Sequence, residues 1–203
     1  MNKAPIIGIV RHRIPTDGDG VTTLVAFSHC PLRCAYCLNA QCEDPNAVRF
    51  NFTPQELVDK VAIDNLYFLA TGGGVTFGGG EPAIRSEYIA EFKSVANQGW
   101  KINLETSLNV DQKHIERLFP IIDQWIIDIK DMHSDIYERY TGRNNVRVIE
   151  NLRYLIKQGV ESMCTIRIPL IPDYNNEELQ IDSEKILSEL GFEKFEKFNY
   201  VIR

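Results

Sequence analysis

The hydrophobic positions of the chain form short apolar runs that alternate with longer amphipathic stretches. The first run that we assign, residues 21–28, is rich in β-branched and apolar side chains, which is typical of a buried strand. Thr53, Pro54 and Glu56 then form a capping box, which predicts a helix that begins there and ends near Ala70. The chain therefore opens on a strand followed by a helix.

The same succession continues along the rest of the chain. The predicted strands are 75–77, 101–105, 125–129, 163–168 and 195–201, and the predicted helices are 86–98, 111–119, 135–140, 146–158 and 177–190. Six strand–helix steps predict a parallel sheet. Six strands are too few for the usual eight-stranded barrel, so we expect an α/β fold, an open and curved (β/α)6 partial barrel. A flat, doubly wound sheet is the alternative.

Unusual polar residues cluster at the carboxyl ends of these predicted strands. Three cysteines follow the first strand, and the other residues of this kind are Glu81, Glu105, Thr106, Asp128, Lys130 and Arg167. Ligands of parallel α/β folds bind beyond the carboxyl ends of the strands. We therefore expect these side chains, distant in sequence, to meet at one mouth of the sheet.

Composition and charge exclude several classes of protein. The chain has 203 residues, of which 44% are hydrophobic and 25% charged, so we expect residues 1–203 to form one soluble domain. The net charge is −6 without a long run of either sign, which does not favour a nucleic-acid-binding surface. The N-terminus lacks the apolar core of a signal peptide, and the apolar runs are too short to span a bilayer. We expect a cytoplasmic protein without a membrane partner.

The spacing of the cysteines indicates a metal centre. Cys30, Cys34 and Cys37 lie within eight residues, and an odd total of five cysteines does not suggest a disulfide framework. Structural zinc normally takes four protein ligands, and no second cysteine pair is present; the remaining candidates are His29, Cys42 and Cys164. An iron–sulfur cube held by three thiolates would leave one iron open. We interpret Cys42 and Cys164 as ordinary cysteines, and a zinc knuckle stays the alternative.

The pattern of three cysteines, with Tyr36 just before the last one, resembles the signature of the radical S-adenosylmethionine (SAM) superfamily. The resemblance implies a [4Fe–4S] cluster on the three cysteines, with SAM on the open iron and Tyr36 beside the cofactors. Gly79, Gly80 and Glu81 resemble the superfamily's GGE motif, which implies contact with the SAM amino group. Reductive cleavage of SAM would then yield methionine and a 5′-deoxyadenosyl radical that abstracts hydrogen from a substrate.

Further segments resemble the activating enzymes of glycyl-radical enzymes, in particular the pyruvate formate-lyase activating type. The stretch from Thr16 to Gly20 is similar to that family's T-x-D-G-x-G segment, which implies that Asp17 positions the glycyl loop of a partner enzyme. A solvated turn is the alternative, because Asp-Gly pairs favour turns.

Residues 104–107 and 127–132 resemble two further segments of the activating enzymes. The resemblance implies that Glu105, Thr106 and Asp128 lie near the SAM carboxylate and bind a monovalent cation. Glu105 replaces the family's aspartate, which departs from the pattern at the cation site.

The same resemblance implies that Lys130 contacts the SAM carboxylate and that Arg167 lies at the mouth of the barrel. A simple salt bridge between Asp128 and Lys130 is the alternative. Residues 140–145 match a family loop, whereas Val201 stands where the family places a histidine near the ribose.

The resemblance as a whole implies a compact activating enzyme without a ferredoxin-like insert. Its expected partners are a glycyl-radical enzyme as protein substrate and a flavodoxin or ferredoxin as electron donor, and we expect it to act as a monomer. One alternative is a radical SAM enzyme that modifies a small molecule or peptide. A non-catalytic scaffold that keeps a structural metal is a second alternative.

Overall fold

The computed structural model describes residues 2–14 and 16–200, which form one sheet with helices around it. The strands are Ala4–Arg13 (β1), Thr22–Phe27 (β2), Phe50–Phe52 (β3), Gly74–Gly79 (β4), Lys101–Thr106 (β5), Gln124–Asp128 (β6), Cys164–Leu170 (β7) and Phe195–Asn199 (β8). The helices are Pro54–Val61 (α1), Asn65–Thr71 (α2), Ser86–Val95 (α3), Gln112–Leu118 (α4), Ser134–Thr141 (α5), Val146–Gln158 (α6) and Glu177–Leu190 (α7). Within the described ranges, no helix combines the length and the apolar character that crossing a bilayer requires.

The order of the strands confirms the predicted open partial barrel. It is β3-β1-β2-β4-β5-β6-β7-β8, and neighbouring strands from β2 to β8 are parallel. These six parallel strands follow one another in chain order, whereas a doubly wound sheet reverses direction at a switch point. Strands β3 and β8 form the two edges, so the curved sheet stays open.

The two antiparallel strands at one edge were not predicted. Strand β1 pairs with β2, with Ile6 opposite Phe27, and also with β3, with Ala4 opposite Phe52. Strand β3 has only three residues, and β1 ends in the charged sequence Arg-His-Arg. Strand β3 is too short to be recognised from its sequence, whereas residues 6–10 of β1 do form an apolar, β-branched run that sequence analysis did not assign.

The helix predicted after the capping box has the expected extent but is interrupted by one turn. Thr53 caps α1 as expected, but a 3₁₀ turn at Ala62–Asp64 separates α1 from α2. Asp64 is buried, and its carboxylate accepts hydrogen bonds from Arg11 Nη1 at 2.9 Å and Thr23 Oγ1 at 2.8 Å. These contacts with β1 and β2 account for a break that no glycine or proline announces.

The two faces of the sheet differ in chemistry. Phe77 on β4 contacts Phe92 of α3, with ring centroids 5.2 Å apart, so this face packs on the helices and forms the apolar core. Side chains alternate along a strand, and Thr76 accordingly points to the other face. There it is buried with Asn103 of β5, to which it lies within hydrogen-bonding distance at 3.3 Å. The concave face of the sheet is therefore polar.

Candidate active site

A cavity of about 590 Å³ opens at the carboxyl ends of the parallel strands, on the polar side of the sheet. This volume is in the range of sites that enclose a small-molecule ligand. Of the residues predicted to form the site, those that line the cavity are Asp17, Cys30, Cys34, Cys37, Gly79, Gly80, Glu81, Glu105, Thr106, Asp128, Lys130 and Arg167. The structure therefore brings together residues that are up to 150 positions apart, counted from Asp17 to Arg167.

The cysteine loop follows β2 and is held against the end of α5. The backbone N–H groups of Arg33 and Ala35 donate to the carbonyls of Thr141 and Tyr140, at 2.8 and 3.0 Å. The residue before the loop, His29, accepts from the N–H of Glu81 at 2.8 Å. Contacts on both sides therefore fix the loop over the strand ends.

The three thiols of this loop open into the same cavity. Burial raises the pKa of the Cys30 and Cys34 thiols, and the Glu81 carboxylate raises that of Cys30 further. Within residues 2–14 and 16–200, no three His, Cys, Asp or Glu side chains are grouped so as to hold a single metal ion. Three thiols on one loop are a donor set that suits an iron–sulfur cluster.

The other two cysteines do not line the cavity, although the cluster that contains Cys42 packs against Cys30. Cys42 is buried and packs with Ile7 and Ala26 in a small second apolar cluster, where burial raises its pKa to about 11. Cys164 is buried at the start of β7, where its Sγ lies 3.3 Å from the Val160 carbonyl oxygen and burial raises its pKa to about 12. Both environments are those of apolar packing.

The glycines after β4 allow this segment to approach the cysteine loop. Gly79 has φ +91°, and the N–H of Gly80 donates to the Phe27 carbonyl at 2.9 Å. A Cβ added at Gly80 would overlap the backbone carbonyl of His29. A side chain at position 80 would therefore push the cysteine loop away from the strand end.

Gly80→Ala is expected to lower the free energy of unfolding by about 1–3 kcal/mol, as forced overpacking does. For a chain of this size, each kcal/mol corresponds to a fall of about 2–4 °C in Tm. Thermal unfolding followed by circular dichroism measures the change. Gly8→Ala is the matched control, because a Cβ there meets nothing within 4 Å. Equal stability of the two variants would contradict the close approach.

Glu81 is 1% exposed, and both oxygens of its carboxylate accept hydrogen bonds from the protein. Oε1 accepts from Thr106 Oγ1 at 2.7 Å and from Ala83 N at 3.1 Å. Oε2 accepts from the Ser107 hydroxyl at 2.7 Å and the Ser107 N–H at 2.9 Å. Burial raises the pKa of Glu81, and these donors oppose that shift. The carboxylate thus joins the end of β4 to the end of β5.

Asp128 and Lys130 form the salt bridge that sequence analysis gave as the alternative interpretation. Lys130 Nζ lies 3.4 Å from Asp128 Oδ2, and the Lys130 side chain is 14% exposed. Burial is the largest single effect and would lower the pKa of Lys130, but the Asp128 carboxylate, Cys34 and Tyr200 together outweigh it, so the pKa is raised. Both residues also line the cavity, so the pair presents one positive and one negative group to a bound ligand.

Glu105 on β5 and Arg167 on β7 form a second ion pair. Arg167 Nη1 lies 3.0 Å from Glu105 Oε1, and its Nε lies 3.0 Å from Glu196 Oε2. The same guanidinium donates to the Thr16 carbonyl. Burial and the charge of Asp17 raise the pKa of Glu105 to about 7, while Arg167 opposes the shift. A guanidinium therefore already neutralises the carboxylate expected at the cation site.

Asp17 lies on the floor of the cavity, beneath the strand ends. Its carboxylate forms a two-point ion pair with Arg13, at 2.5 and 2.9 Å, and is 1% exposed. Its carbonyl accepts from the side chains of Thr76 and Asn103, which lie in the middle of β4 and β5. The segment before β2 thus folds inward beneath the strand ends, so Asp17 lies in a turn, as the alternative has it, but is buried rather than solvated.

Tyr36 belongs to an aromatic cluster beside the cysteine loop rather than to the cavity wall. Its ring centroid lies 5.7 Å from that of Tyr174 and 6.3 Å from that of Tyr140, and its hydroxyl donates to Asp173 at 3.0 Å. Tyr140 also lines the cavity. The cluster therefore connects the cavity wall to the loop before α7.

Sequence analysis did not identify several of the residues that line the cavity. They are Arg13, Thr16, Leu32, Leu38, Asn39, Ser107, Tyr140, Glu196, Lys197, Phe198 and Tyr200. Ser107 carried a signal, because it follows Thr106 directly in a segment that was recognised. The residues of β8 carried none, since the position of an edge strand depends on pairing. Val201, which was expected near a ribose, lies outside the described residues.

Comparison with known proteins assigns most of the chain to one family. Residues 24–185 match the family model of the radical SAM superfamily, which is most of the chain. The (2S)-3-sulfopropanediol dehydratase activating enzyme of Klebsiella oxytoca is 29% identical, over 94% of this chain and 80% of its own length. The pyruvate formate-lyase-activating enzyme of Staphylococcus aureus (strain USA300) is 31% identical, over 91% of this chain and 76% of its own.

A solved structure shows the same fold at lower identity. Streptococcus suis SuiB bound to S-adenosylmethionine matches 88% of this chain and 42% of its own, with a TM-score of 0.64 and 19% identity. The match to the family model, the similarity to the two activating enzymes and the open parallel barrel agree. The chain belongs to the radical SAM superfamily.

Proposed function

We propose that Cys30, Cys34 and Cys37 hold a [4Fe–4S] cluster, and that SAM binds beside it in the cavity. The observation that carries this proposal is the convergence of the three thiols with the glycine-rich strand end and two ion pairs in one cavity. When bound, a reduced cluster and SAM supply a 5′-deoxyadenosyl radical that abstracts hydrogen from a substrate.

The charges of the cavity suit the amino-acid end of SAM. Lys130 is a largely buried cation whose ammonium can donate to a ligand carboxylate, and Asp128 beside it can accept from a ligand ammonium. Glu81 is a buried carboxylate with no cation at ion-pair distance in the described part of the chain. Because buried charges are costly unless they are paired, a ligand ammonium near Glu81 would lower that cost.

We further propose that the substrate is a glycyl-radical enzyme, on which the chain installs the radical. Support comes from the two relatives of about 30% identity, whose names are those of activating enzymes. The cavity mouth also carries exposed apolar side chains, with Leu38 57% and Phe198 40% exposed. Exposed apolar groups at the rim of a polar cavity favour a macromolecular substrate over a small solute.

The ion pairs at the inner end of the cavity would orient the glycyl loop. Asp17 lies beneath the strand ends. Arg167 lies at the level of Asp128, where its guanidinium meets Glu105. A loop that enters through the mouth would meet both side chains. These side chains already hold defined positions through Arg13, Glu105 and Glu196. Preorganised charged groups can bind backbone amides without a further loss of side-chain entropy.

The reconstituted and reduced chain, given SAM and a glycyl-radical enzyme, is expected to produce a stable glycyl radical on that partner. Electron paramagnetic resonance would show a doublet that collapses when the partner glycine is deuterated at Cα. Asp17→Asn is expected to reduce this signal at least about tenfold, the effect of one lost charged contact. Release of 5′-deoxyadenosine without partner should change less, because Asp17 would orient the loop rather than SAM.

Two results would contradict the proposal. Equal losses in both assays for Asp17→Asn would place Asp17 in the SAM site or in the fold. Acceleration of 5′-deoxyadenosine release by a short peptide or a small metabolite, without a doublet on any glycyl-radical enzyme, would replace the activase by the small-substrate alternative. Cys34→Ala is the control that should lose both signals.

A further inference from the structure

One ion pair holds both polar backbone groups of Cys30, the first of the three cysteines. The N–H of Cys30 donates to Glu43 Oε1 at 2.6 Å, and its carbonyl accepts from Arg33 Nη1 at 2.9 Å. Glu43 Oε2 and Arg33 Nη2 lie 3.1 Å apart. The N–H and the carbonyl of Cys30 are therefore bound by two side chains of opposite charge that also bind each other.

The two members of this pair come from different parts of the chain. Arg33 belongs to the cysteine loop, and its Nη1 also donates to the Leu32 carbonyl at 3.1 Å. Glu43 is the last residue of a 3₁₀ turn, Ala40–Glu43, and lies thirteen positions after Cys30. The pair therefore connects the first of the three cysteines to the segment that follows the last one.

The backbone just before Cys30 is strained, and the same turn holds it in place. His29 has φ +75°, a left-handed conformation that residues other than glycine rarely adopt. Its N–H donates to the Cys42 carbonyl at 2.7 Å, and its Nδ1 lies 3.5 Å from Glu43 Oε1. Such a conformation persists only where surrounding contacts enforce it. Residues 42 and 43 supply contacts of this kind.

The exposure of the two side chains would make an isolated ion pair weak. The side chain of Arg33 is 63% exposed and that of Glu43 is 32% exposed. This pair is not isolated, because each member also forms a hydrogen bond with the backbone of Cys30. Hydrogen bonds that involve one charged group are roughly twice as strong as those between neutral groups. The contacts with Cys30 therefore set this pair apart from an ordinary surface salt bridge.

We propose that Glu43 and Arg33 are positioning residues, which hold the backbone of Cys30 so that its thiol is preorganised to bind the cluster. This inference rests on the proposed function, because it assumes a cluster on the three cysteines. Neither side chain lines the cavity, so both act through Cys30 rather than on a bound ligand. Residues that orient metal ligands in this way typically change metal affinity about ten- to a hundredfold when they are replaced.

The first test measures how firmly the cluster is held. Glu43→Ala removes the acceptor of the Cys30 N–H, so the reconstituted variant is expected to lose iron to bathophenanthroline at least about tenfold faster than the wild type. Glu43→Gln keeps a carbonyl oxygen that can accept from the same N–H, and should stay within about threefold of the wild type. Circular dichroism of the variants before reconstitution checks that both are folded.

The second test uses the sign of each charge. A negative charge near a cluster disfavours the reduced form and a positive charge favours it. At a fixed potential, Glu43→Gln is expected to raise the ratio of reduced to oxidised cluster about threefold, and Arg33→Gln to lower it about threefold. Redox titration followed by electron paramagnetic resonance measures both ratios. A role in the fold alone would not move the two variants in opposite directions.

Glu87 and Arg117 form the matched control pair. They have the same residue types, lie 3.2 Å apart on α3 and α4, and do not line the cavity. Glu87→Gln and Arg117→Gln should each leave the rate of iron loss and the ratio of reduced to oxidised cluster within about twofold of the wild type. Equal effects of the two pairs would overturn the proposal.

The outcomes also separate this inference from the proposed function. If the wild-type chain assembles no cluster, the proposed function is wrong and the positioning role with it. If the wild type assembles a cluster but Glu43→Ala keeps its iron equally well, the positioning role alone is wrong. If Glu43→Ala does not fold, the two glutamine variants decide: shifts of the ratio in one direction, or no shift, would overturn the proposal.

Discussion

Replacing Cys30, Cys34 or Cys37 by alanine is expected to abolish cluster assembly, whereas Cys42→Ala and Cys164→Ala should leave it intact. The first three thiols share one cavity, and the other two are buried in apolar surroundings. Anaerobic reconstitution of the wild type should give about four irons per chain, the content of one cube. Chemical iron analysis and visible absorption measure the result.

Cys42→Ala and Cys164→Ala are the matched controls of this experiment. Each of the five substitutions removes one thiol, so loss of a thiol alone cannot explain a difference between the two groups. Circular dichroism should show that Cys34→Ala, whose residue lies on a surface loop, keeps the secondary structure. Loss of iron in Cys42→Ala would mean that a fourth cysteine binds the cluster and that no iron is left open.

The parallel strands from β2 to β7 could be predicted because they are largely buried apolar runs bounded by helices, whereas β8, which was also predicted, is mostly exposed. Strand β1 was missed although residues 6–10 form an apolar run, and the three residues of β3 form a strand by pairing with β1. The break between α1 and α2 has no local sequence signal, because it depends on tertiary contacts: Asp64 turns inward to meet Arg11 and Thr23.

The candidate site likewise has features that could be predicted from the sequence and features that could not. Residues in short motifs at strand ends, such as Glu81 and Lys130, were found because the ends of parallel strands meet at one edge. The depth of Asp17 was not, since it depends on how the segment before β2 folds under Thr76 and Asn103. Sequence motifs therefore predicted which residues meet, and the structure adds which of them are already paired.

Glu81→Ala is expected to weaken SAM binding about ten- to a hundredfold while leaving the iron content unchanged. Loss of one charge-assisted hydrogen bond is worth about 1.5–3 kcal/mol, which corresponds to that range. The carboxylate lies in the cavity but not in the cysteine loop, so cluster assembly should persist. Equilibrium binding of SAM to the reconstituted variant measures the change.

The same substitution is also expected to destabilise the fold, because four donors lose their acceptor. The N–H groups of Ala83 and Ser107 would be left buried and unpaired, at a cost of about 1–3 kcal/mol each. Weak binding could then follow from a distorted strand end rather than from a lost contact with the ligand. Binding of SAM to Glu81→Ala alone does not separate these two causes.

Ser107→Ala separates them, since it removes one donor to Glu81 and keeps the carboxylate. If Glu81 binds the ligand ammonium, this variant should retain SAM affinity within about threefold, although it loses some stability, because its carboxylate is intact and one acceptor site on Oε2 is freed. If Glu81 serves only to hold the end of β5, SAM affinity should fall in both variants in proportion to the loss of Tm. Unchanged affinity in Glu81→Ala would contradict both roles and place the SAM amino group nearer Asp128, the other cavity carboxylate beside Lys130.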